Sequence, residues 1–555
     1  MDWKNKLYFG DNLGILREHV ATESVDLIYL DPPFNSSATY NVLFKEKSGE
    51  ESAAQITAFE DTWQWSLESE AVYKEIVETG PRKLADLIQA LRSFLGQNDM
   101  MAYLVMMAIR LVELHRVLKE TGSIYLHCDP TASHYLKMVM DAIFGPVNFR
   151  NEVVWKRSDA HSDAKQGAKH YGRIHDVLLF YSRSGEPTFH AQYRPLPQST
   201  MDKWYRNVEP ETGRRYNKAD VTGPGGAAKG NPIYEWNGVT RYWRYSKERM
   251  QELHDQGRLV YSKSGMPYEK RYLDESKGVP DQDWWDDIAM LRGIHTKGER
   301  LGYPTQKPEA LLERVIKTSS DQGDIVLDPF CGCGTAIAVA ERLRRRWIGI
   351  DITYLAVNLV QRRLRDHHPD DLSPYEIVGA PADLASAERL KEISPHQFEW
   401  WAVDLVNARP AKDHKKGSDS GIDGYINFFD DTSGRAKKVI VQVKSGYIGV
   451  NHVRDLKGVL AREKAAIGAL ITLREPTKPM LVEATSAGFY ETEDPSEKVI
   501  KMQPGSAKRY PRLQILTVAE LLEGKKIEYP SGPIAREETF AKAERKTRHQ
   551  QEELF

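Results

Sequence analysis

The sequence lacks the features that mark secreted, disulfide-rich and membrane-spanning proteins. Its 555 residues contain only three cysteines, which is too few for a disulfide framework. No stretch approaches the ~18 consecutive apolar residues that a membrane-spanning helix needs. The N-terminal residues also lack the apolar core of a signal peptide. These absences predict a cytoplasmic protein with no membrane partner.

Neither sign of charge is in clear excess. The chain has 77 Lys and Arg residues against 79 Asp and Glu residues, for a net charge of −2. This balance argues against a nonspecific nucleic-acid coat but allows a local basic cleft. Hydrophobic residues make up 41% and charged residues 28%, as in ordinary globular proteins. The length exceeds what one core supports, so we expect roughly two to four domains.

The most informative motif is the tetrapeptide Asp31-Pro32-Pro33-Phe34. It follows an apolar run, residues 25–30, that is typical of a buried parallel strand. Because two prolines stop the strand, Asp31 is held at its carboxyl end, where open α/β sheets bind ligands. The Asp31 carboxylate and the Pro32 carbonyl are adjacent acceptors for one amino group, and Phe34 offers a face to a flat ring. The motif predicts a site for the exocyclic amine of a base.

A second motif joins a short strand, residues 325–327, to a helix from Ala336 to about Leu343. The connecting loop, residues 328–335, contains glycines that let the backbone approach a ligand closely. The next strand ends in Asp351, 19 residues after Gly332, where nucleotide-binding folds place a ribose-binding carboxylate. The loop matches neither a dinucleotide nor a triphosphate motif. Taken alone, it could be a tight turn between strand and helix.

Together these motifs resemble the amino-group DNA methyltransferases that use S-adenosylmethionine, in particular the β-class type and the modification subunits of type III systems. Three further segments match that family: residues 5–12, 122–129 and 303–308. The resemblance implies a circularly permuted, Rossmann-like α/β fold that acts on double-stranded DNA. It assigns residues 1–150 to the catalytic half, 151–300 to target recognition and 301–366 to the cofactor-binding half.

The resemblance also implies roles for individual residues. Asp31, Pro32, Pro33 and Phe34 would bind a base flipped out of the duplex, with adenine N6 favoured and cytosine N4 as the alternative. Asp351 would hold the ribose hydroxyls of the cofactor, and Asp11 its adenine end. The loop would wrap the methionine part of the cofactor through Asp328, Phe330, Gly332, Gly334 and Thr335.

Residues 151–300 have a different composition, with six tryptophans and many tyrosines among Lys and Arg residues. This mixture suits contacts to phosphates, base edges and displaced bases. The alternative for any single aromatic residue is a place in a domain core. We therefore expect target recognition from the region as a whole.

The last third predicts a linker at residues 367–395, a smaller α/β domain at 396–530 and a charged tail at 531–555. Gln442 and Lys444 alternate onto one face of a predicted strand, and Asp423 precedes it in a Gly-Ile-Asp-Gly segment. These residues resemble PD-(D/E)xK nucleases of the Mrr-like kind over roughly residues 396–475. The departure from that pattern is Gln442, which stands where an acid is usual.

This second resemblance implies a Mg²⁺ site formed by Asp423, with Glu399 as a second carboxylate and Lys444 stabilising charge on the phosphate. Two hypotheses follow. The chain is either a methyltransferase fused to an endonuclease, acting in restriction–modification or phage defence, or a methyltransferase with a non-cutting DNA-binding or docking domain. Both allow a homodimer and further restriction or defence subunits as partners.

Overall fold

The computed structural model describes residues 3–33, 39–45, 51–60, 65–159, 167, 169–291, 299–301, 303, 305–411, 421–430, 435–491, 509–530 and 536–537. Phe34 and most of the expected tail therefore lie outside the described residues. The chain forms two compact units, one of residues 1–190 with 283–555 and one of residues 191–282. No helix in the described part is long and apolar enough to cross a membrane.

The larger unit begins with alternating strands and helices. Up to Ser182 they are β1 (Asn5–Phe9), α1 (Asn12–His19), β2 (Val25–Leu30), β3 (Thr39–Lys45), β4 (Glu51–Glu60), α2 (Leu67–Thr79), α3 (Arg82–Leu95), α4 (Asp99–Val117), β5 (Leu118–Cys128), α5 (Ser133–Phe144), β6 (Phe149–Lys156) and β7 (His175–Ser182).

The smaller unit is mostly antiparallel. Its elements are β8 (Tyr193–Arg194), α6 (Gln198–Trp204), β9 (Asn207–Val208), β10 (Arg215–Asp220), β11 (Ile233–Trp236), β12 (Val239–Tyr242), α7 (Lys247–Asp255), β13 (Leu259–Tyr261), β14 (Pro267–Tyr272) and β15 (Val279–Pro280). Asn237 and Gly238 connect β11 to β12 with positive φ angles of 49° and 76°, as a tight hairpin turn requires. Trp236 and Trp243 are buried in its core, whereas Trp204 is 52% exposed.

The chain then returns to the larger unit. Its remaining elements are β16 (Trp284–Trp285), α8 (Glu309–Ser319), β17 (Ile325–Asp328), α9 (Thr335–Arg342), β18 (Arg346–Asp351), α10 (Tyr354–His367), β19 (Tyr375–Val378), α11 (Leu384–Ile393), α12 (Pro395–Leu405), β20 (Arg409–Pro410), β21 (Gly424–Phe429), β22 (Lys437–Lys444), α13 (Val450–Arg462), β23 (Ile467–Thr472), α14 (Lys478–Thr485), β24 (Phe489–Glu491), β25 (Arg509–Pro511), β26 (Leu513–Thr517), α15 (Val518–Leu522) and β27 (Arg536–Glu537).

A nine-stranded sheet organises the larger unit, in the order β16-β6-β7-β5-β2-β17-β18-β1-β19. Strand β7 runs antiparallel to both neighbours, and the other neighbouring pairs are parallel. The late strands β17 and β18 insert between the early strands β2 and β1. The expected α/β fold with permuted chain order is therefore confirmed.

Helices cover both faces of this sheet, so its strands read as continuous apolar runs. Ile28 and Leu30 pack with the cluster that includes α4, while Leu27 and Tyr29 pack with the cluster that includes α8 and α9. Helix α4 begins after Asn98, whose side chain accepts a hydrogen bond from the Met101 N–H at 2.9 Å. It ends at Val117.

Two boundaries differ from the expectation. Strand β19 lies inside the expected linker and forms the edge of the main sheet beside β1. Strands β6, β7 and β16 come from the expected target-recognition region but also belong to this sheet. Short strands, and strands next to an inserted unit, leave weak patterns in a sequence, which explains both differences.

A second sheet, with strand order β20-β21-β22-β23-β26, lies in the C-terminal part. Val441 and Val443 pack with α12 on one face, and Ile440 packs with α13 on the other. This α/β arrangement agrees with the expected smaller domain. Strand β27 pairs with β21 and extends the sheet beyond residue 530.

Candidate active site

A cavity opens where the carboxyl ends of β2, β17, β18 and β1 meet. The predicted residues Asp11, Asp31, Pro32, Pro33, Asp328, Phe330, Gly332, Thr335 and Asp351 all line it. Open α/β sheets bind ligands at such an edge. The sheet therefore brings together two motifs that lie about 300 residues apart in the sequence.

Asp31 follows β2 directly, and its Oδ2 atom forms an ion pair with the Nζ atom of Lys307. The two side chains are only 14% and 12% exposed. Oδ1 of Asp31 is buried and has no hydrogen-bond partner among the described residues. A buried carboxylate oxygen without a donor is costly, so it is an acceptor available to a ligand.

Asp328 ends β17 at the start of the glycine loop. Its Oδ1 atom accepts a hydrogen bond from the Phe330 N–H at 3.1 Å. Burial raises the pKa of Asp328 well above its usual range, and the negative charges of Asp31 and Asp351 raise it further. The cavity is thus lined by several acidic side chains that are poorly solvated.

The glycine loop needs its glycines for steric reasons. Gly334 has a φ of 72°, and a Cβ atom there would lie 2.7 Å from Cγ2 of Val360. Gly332 also has a positive φ, and a Cβ atom there would lie 3.2 Å from the Tyr303 ring. The loop keeps this conformation because the Gly332 N–H donates to Oδ2 of Asp351 at 2.9 Å.

Asp351 therefore organises the loop as well as lining the cavity. Its Oδ1 atom accepts hydrogen bonds from the N–H and the hydroxyl of Thr353, both at 2.8 Å. Burial raises the pKa of Asp351 above its usual value. Each carboxylate oxygen has two lone pairs, so Asp351 retains capacity for a ligand hydroxyl.

Arg110 connects Asp11 and Asn12, which follow β1, to this site. It donates to Oδ1 of Asp11 and to Oδ1 of Asn12, both at 2.6 Å. The amide of Asn12 in turn donates to the Pro329 carbonyl at 2.8 Å. Asp11 is half exposed and faces the cavity as part of a fixed network.

Thr335 has a supporting role in addition to its place at the cavity. Its hydroxyl accepts a hydrogen bond from buried Arg363 at 3.0 Å, and Arg363 also donates to Glu309 at 2.7 Å. Burial opposes ionisation of Glu309, but the charges of Arg363, His367 and Arg342 lower its pKa to about 2. This buried network attaches α9, which begins at Thr335, to α8 and α10.

Sequence reasoning missed a buried polar chain beneath Asp31. The Tyr29 hydroxyl contacts Nδ1 of His127 at 2.9 Å, and Nε2 of His127 contacts Asp176 at 3.3 Å. Asp176 forms an ion pair with Arg157 at 3.2 Å. Lys307 and Arg110 were missed as well. The only signals were His127 and Lys307 within segments that resemble the methyltransferase family.

In the C-terminal part, Asp423 directly precedes β21, and Gln442 lies on the neighbouring strand β22. Oδ2 of Asp423 accepts a hydrogen bond from the Val443 N–H at 2.6 Å, and the Asp423 N–H donates to the Val441 carbonyl at 2.9 Å. Gln442 is 4% exposed, and its Oε1 atom has no hydrogen-bond partner among the described residues. Lys444 ends the same strand, two residues later.

Glu399 lies on α12, which packs against Val441 and Val443, whereas Gln442 alternates to the opposite face of β22. The carboxylate of Glu399 is 3.6 Å from His396. In the part of the chain that the structure describes, no three His, Cys, Asp or Glu side chains cluster to hold a metal ion. A Mg²⁺ site at Asp423 and Glu399 stays a prediction.

Comparison with known families agrees with the fold and the cavity. The N6/N4 DNA methylase family matches residues 25–362, and the chain belongs to this family. Residues 394–523 match a second family, described as NACHT-associated inactive restriction endonuclease 1. The C-terminal similarity to restriction endonucleases is thus confirmed, and the expected cleavage activity receives no support from it.

Three bacterial proteins illustrate the similarity. The chain is 30% identical over 272 residues to the type II methyltransferase M.EcaI of Enterobacter cloacae, which covers 47% of this chain and 57% of that protein. It is 28% identical over 353 residues to the StyLTI Mod subunit of a Salmonella typhimurium type III restriction-modification enzyme, covering 60% and 49%. It is 24% identical over 388 residues to the DNA adenine methyltransferase YhdJ of Escherichia coli K12, covering 70% and 92%. The chain spans about half the length of the first two.

Proposed function

We propose that the protein transfers a methyl group from S-adenosylmethionine to the exocyclic amine of a flipped base in double-stranded DNA. The observation that carries this proposal is the buried, unpartnered Oδ1 atom of Asp31, which lines the same cavity as the glycine loop. An amine needs an acceptor at that position, and membership of the N6/N4 methylase family supplies the reaction class.

The residues around the cavity fit this cofactor. The positive φ at Gly332 and Gly334 keeps the loop free of side chains, so the backbone can contact an extended ligand closely. Asp351 and Asp11 offer carboxylates for hydroxyl and amino groups. When bound, S-adenosylmethionine supplies an activated methyl group, and its sulfur keeps the electron pair of the broken C–S bond.

The chain's own residues would prepare the amine. Its lone pair is delocalised into the ring of the base, which makes it a poor nucleophile. Asp31 and the Pro32 carbonyl would accept its two N–H hydrogens and favour a pyramidal nitrogen, and Asp31 would receive the proton that leaves. We infer adenine N6 as the acceptor because YhdJ, a DNA adenine methyltransferase, is similar over 92% of its length. Cytosine N4 is the alternative.

The test compares the full chain with Asp31→Ala, incubated with S-adenosylmethionine and unmethylated plasmid DNA. Long-read sequencing identifies the modified base and motif. We expect transfer to fall by at least about 100-fold, which is about 2.7 kcal/mol. Calorimetric binding of S-adenosylhomocysteine should stay within about threefold. Asp455→Ala, on the exposed surface of α13 and outside the cavity, is the control. Equal transfer by wild type and Asp31→Ala would remove the amine-acceptor role.

We assign sequence recognition to the unit of residues 191–282. Trp204 and Ile233, at 52% and 58% exposure, provide apolar surface next to basic side chains such as Lys203. Such surfaces suit contacts with DNA. Replacing this unit with its counterpart from a related methyltransferase should change the methylated motif while leaving the reaction intact. An unchanged motif would contradict the assignment.

A second proposal concerns the C-terminal part, which we infer to be a non-cutting DNA-binding or docking module. The match to an inactive restriction endonuclease family and Gln442 in place of an acid favour this over a nuclease. Plasmid DNA incubated with the protein and Mg²⁺ should remain uncut. Mg²⁺-dependent cuts that Lys444→Ala abolishes would instead support the endonuclease hypothesis.

A further inference from the structure

One carboxylate oxygen of Asp31 is occupied and the other is not. Oδ2 is paired with Lys307, and Oδ1 is buried without a hydrogen-bond partner in the described part of the chain. Both residues line the cavity. A carboxylate held at one oxygen cannot rotate freely, so the direction of Oδ1 follows from the position of Lys307.

The neighbours of Lys307 hold its backbone in place. The Gln306 amide donates to the Glu299 carbonyl at 2.7 Å, and its oxygen accepts from the Leu301 N–H at 2.9 Å. On the other side, the Glu309 N–H donates to Oε1 of Glu299 at 2.6 Å. The Glu309 side chain is bound to buried Arg363. Lys307 therefore projects from a segment that is anchored before and after it.

The surroundings of Asp31 explain why a cation is needed there. Burial raises the pKa values of Tyr29, Cys128, Tyr303 and Asp328, and the negative charge of Asp31 raises each of them further. Lys307 acts in the opposite direction on Asp328. In a poorly solvated cavity with several acids, a fixed ammonium group balances charge that water would otherwise screen.

We propose that Lys307 is a positioning residue for methyl transfer, which holds Asp31 through Oδ2 so that Oδ1 points to the incoming amine. This inference rests on the proposed function. The proton that the amine releases goes to Asp31. Lys307 acts through Asp31 and does not need to touch the cofactor.

The test uses Lys307→Met and Lys307→Arg in the full chain. Lys119→Met is the matched control. Lys119 forms an ion pair at 2.8 Å with Asp26, which lies on β2, the strand that Asp31 follows, and this pair is outside the cavity. Single-turnover rates at saturating S-adenosylmethionine and DNA are measured, together with calorimetric binding of S-adenosylhomocysteine. We expect Lys307→Met to lower the rate by at least about 30-fold with binding within about threefold. Arg should recover most of the rate, and the control should match wild type.

A double variant separates a role through Asp31 from general damage. If Lys307 acts through Asp31, adding Lys307→Met to Asp31→Asn should lower the residual rate no further. Fully additive losses would overturn the inference, and so would a normal rate in Lys307→Met. Lost S-adenosylhomocysteine affinity with a normal saturated rate would assign Lys307 to cofactor binding instead. A wild type that transfers no methyl group would refute the proposed function itself, and the inference with it.

Discussion

The contact between α12 and α10 leads to a prediction about how the two sequence-defined parts depend on each other. The Asp404 carboxylate on α12 accepts hydrogen bonds from Arg362 at 2.9 Å, from the Asn358 amide, and from the Tyr354 hydroxyl at 3.4 Å. Gln397 accepts a hydrogen bond from the Tyr354 N–H at 2.9 Å. The C-terminal part is thus bonded to the helix that follows Asp351.

Asp404→Ala removes the acceptor of all three donors. Arg362 and Asp404 are each 16% exposed, so water cannot fully replace the lost carboxylate. Hydrogen bonds to charged groups contribute about 1.5–3 kcal/mol each and are not additive. We therefore expect the free energy of unfolding to fall by about 3 kcal/mol. Asp455→Ala, on the exposed surface of α13, should change it by less than about 0.5 kcal/mol.

Urea unfolding of the full chain, followed by circular dichroism, measures both variants. A fragment ending near residue 380 provides a second measurement, because it lacks α12 and uncovers buried Leu355 and Leu359. We expect this fragment to be less stable than the same residues within the full chain. A stable fragment together with an unaffected Asp404→Ala variant would refute a stabilising role for α12 and would indicate two independent domains.

Two further predictions concern the glycine loop and the buried ion pairs beneath it. Gly334→Ala should lower the free energy of unfolding by about 3 kcal/mol and weaken S-adenosylhomocysteine binding, because its Cβ atom meets Val360 at 2.7 Å. Gly323 has a similar φ of 86°, but no atom lies within 4 Å of its Cβ position. Gly323→Ala should therefore lower the free energy of unfolding by only about 1 kcal/mol in urea unfolding. Equal losses at the two glycines would contradict this. Glu309→Gln should lower the free energy of unfolding by about 3 kcal/mol at pH 7, because folding lowers the pKa of Glu309 from 4.5 to about 2. This contribution to stability is present above pH 4.5 and is lost as the pH falls towards 2. Unfolding of wild type and variant across that range should converge, and a constant difference would contradict the assignment.

The sequence predicted those parts of the site that depend on local pattern. A buried strand ended by two prolines places Asp31 without any knowledge of the fold, and a strand, a glycine loop and a second strand do the same for Asp328 and Asp351. The sequence did not predict the role of Lys307, because its partner Asp31 is 276 residues away and only the folded sheet brings the two together. The contacts of Asp404 were not predicted for the same reason, because its partners lie on α10.

The C-terminal part illustrates the limit of motif reasoning. Alternation correctly placed Gln442 and Lys444 on one strand and Asp423 beside it. The same reasoning could not determine which face of β22 α12 covers; Val441 and Val443 pack against α12 there. A motif of three residues therefore described the strand pair correctly, while the metal site inferred from it stays a prediction.

The permuted chain order is compatible with one active site because the site needs only the carboxyl ends of adjacent strands. Contacts between the two halves join them closely: Asp26 accepts a hydrogen bond from the Ile325 N–H at 2.9 Å, and Asn5 accepts one from the Trp347 N–H at 2.9 Å. These bonds connect β2 to β17 and β1 to β18 at the centre of the sheet. In the sequence, residues 191–282 lie between β7 and β16, so they interrupt none of the loops that directly follow β1, β2, β17 and β18.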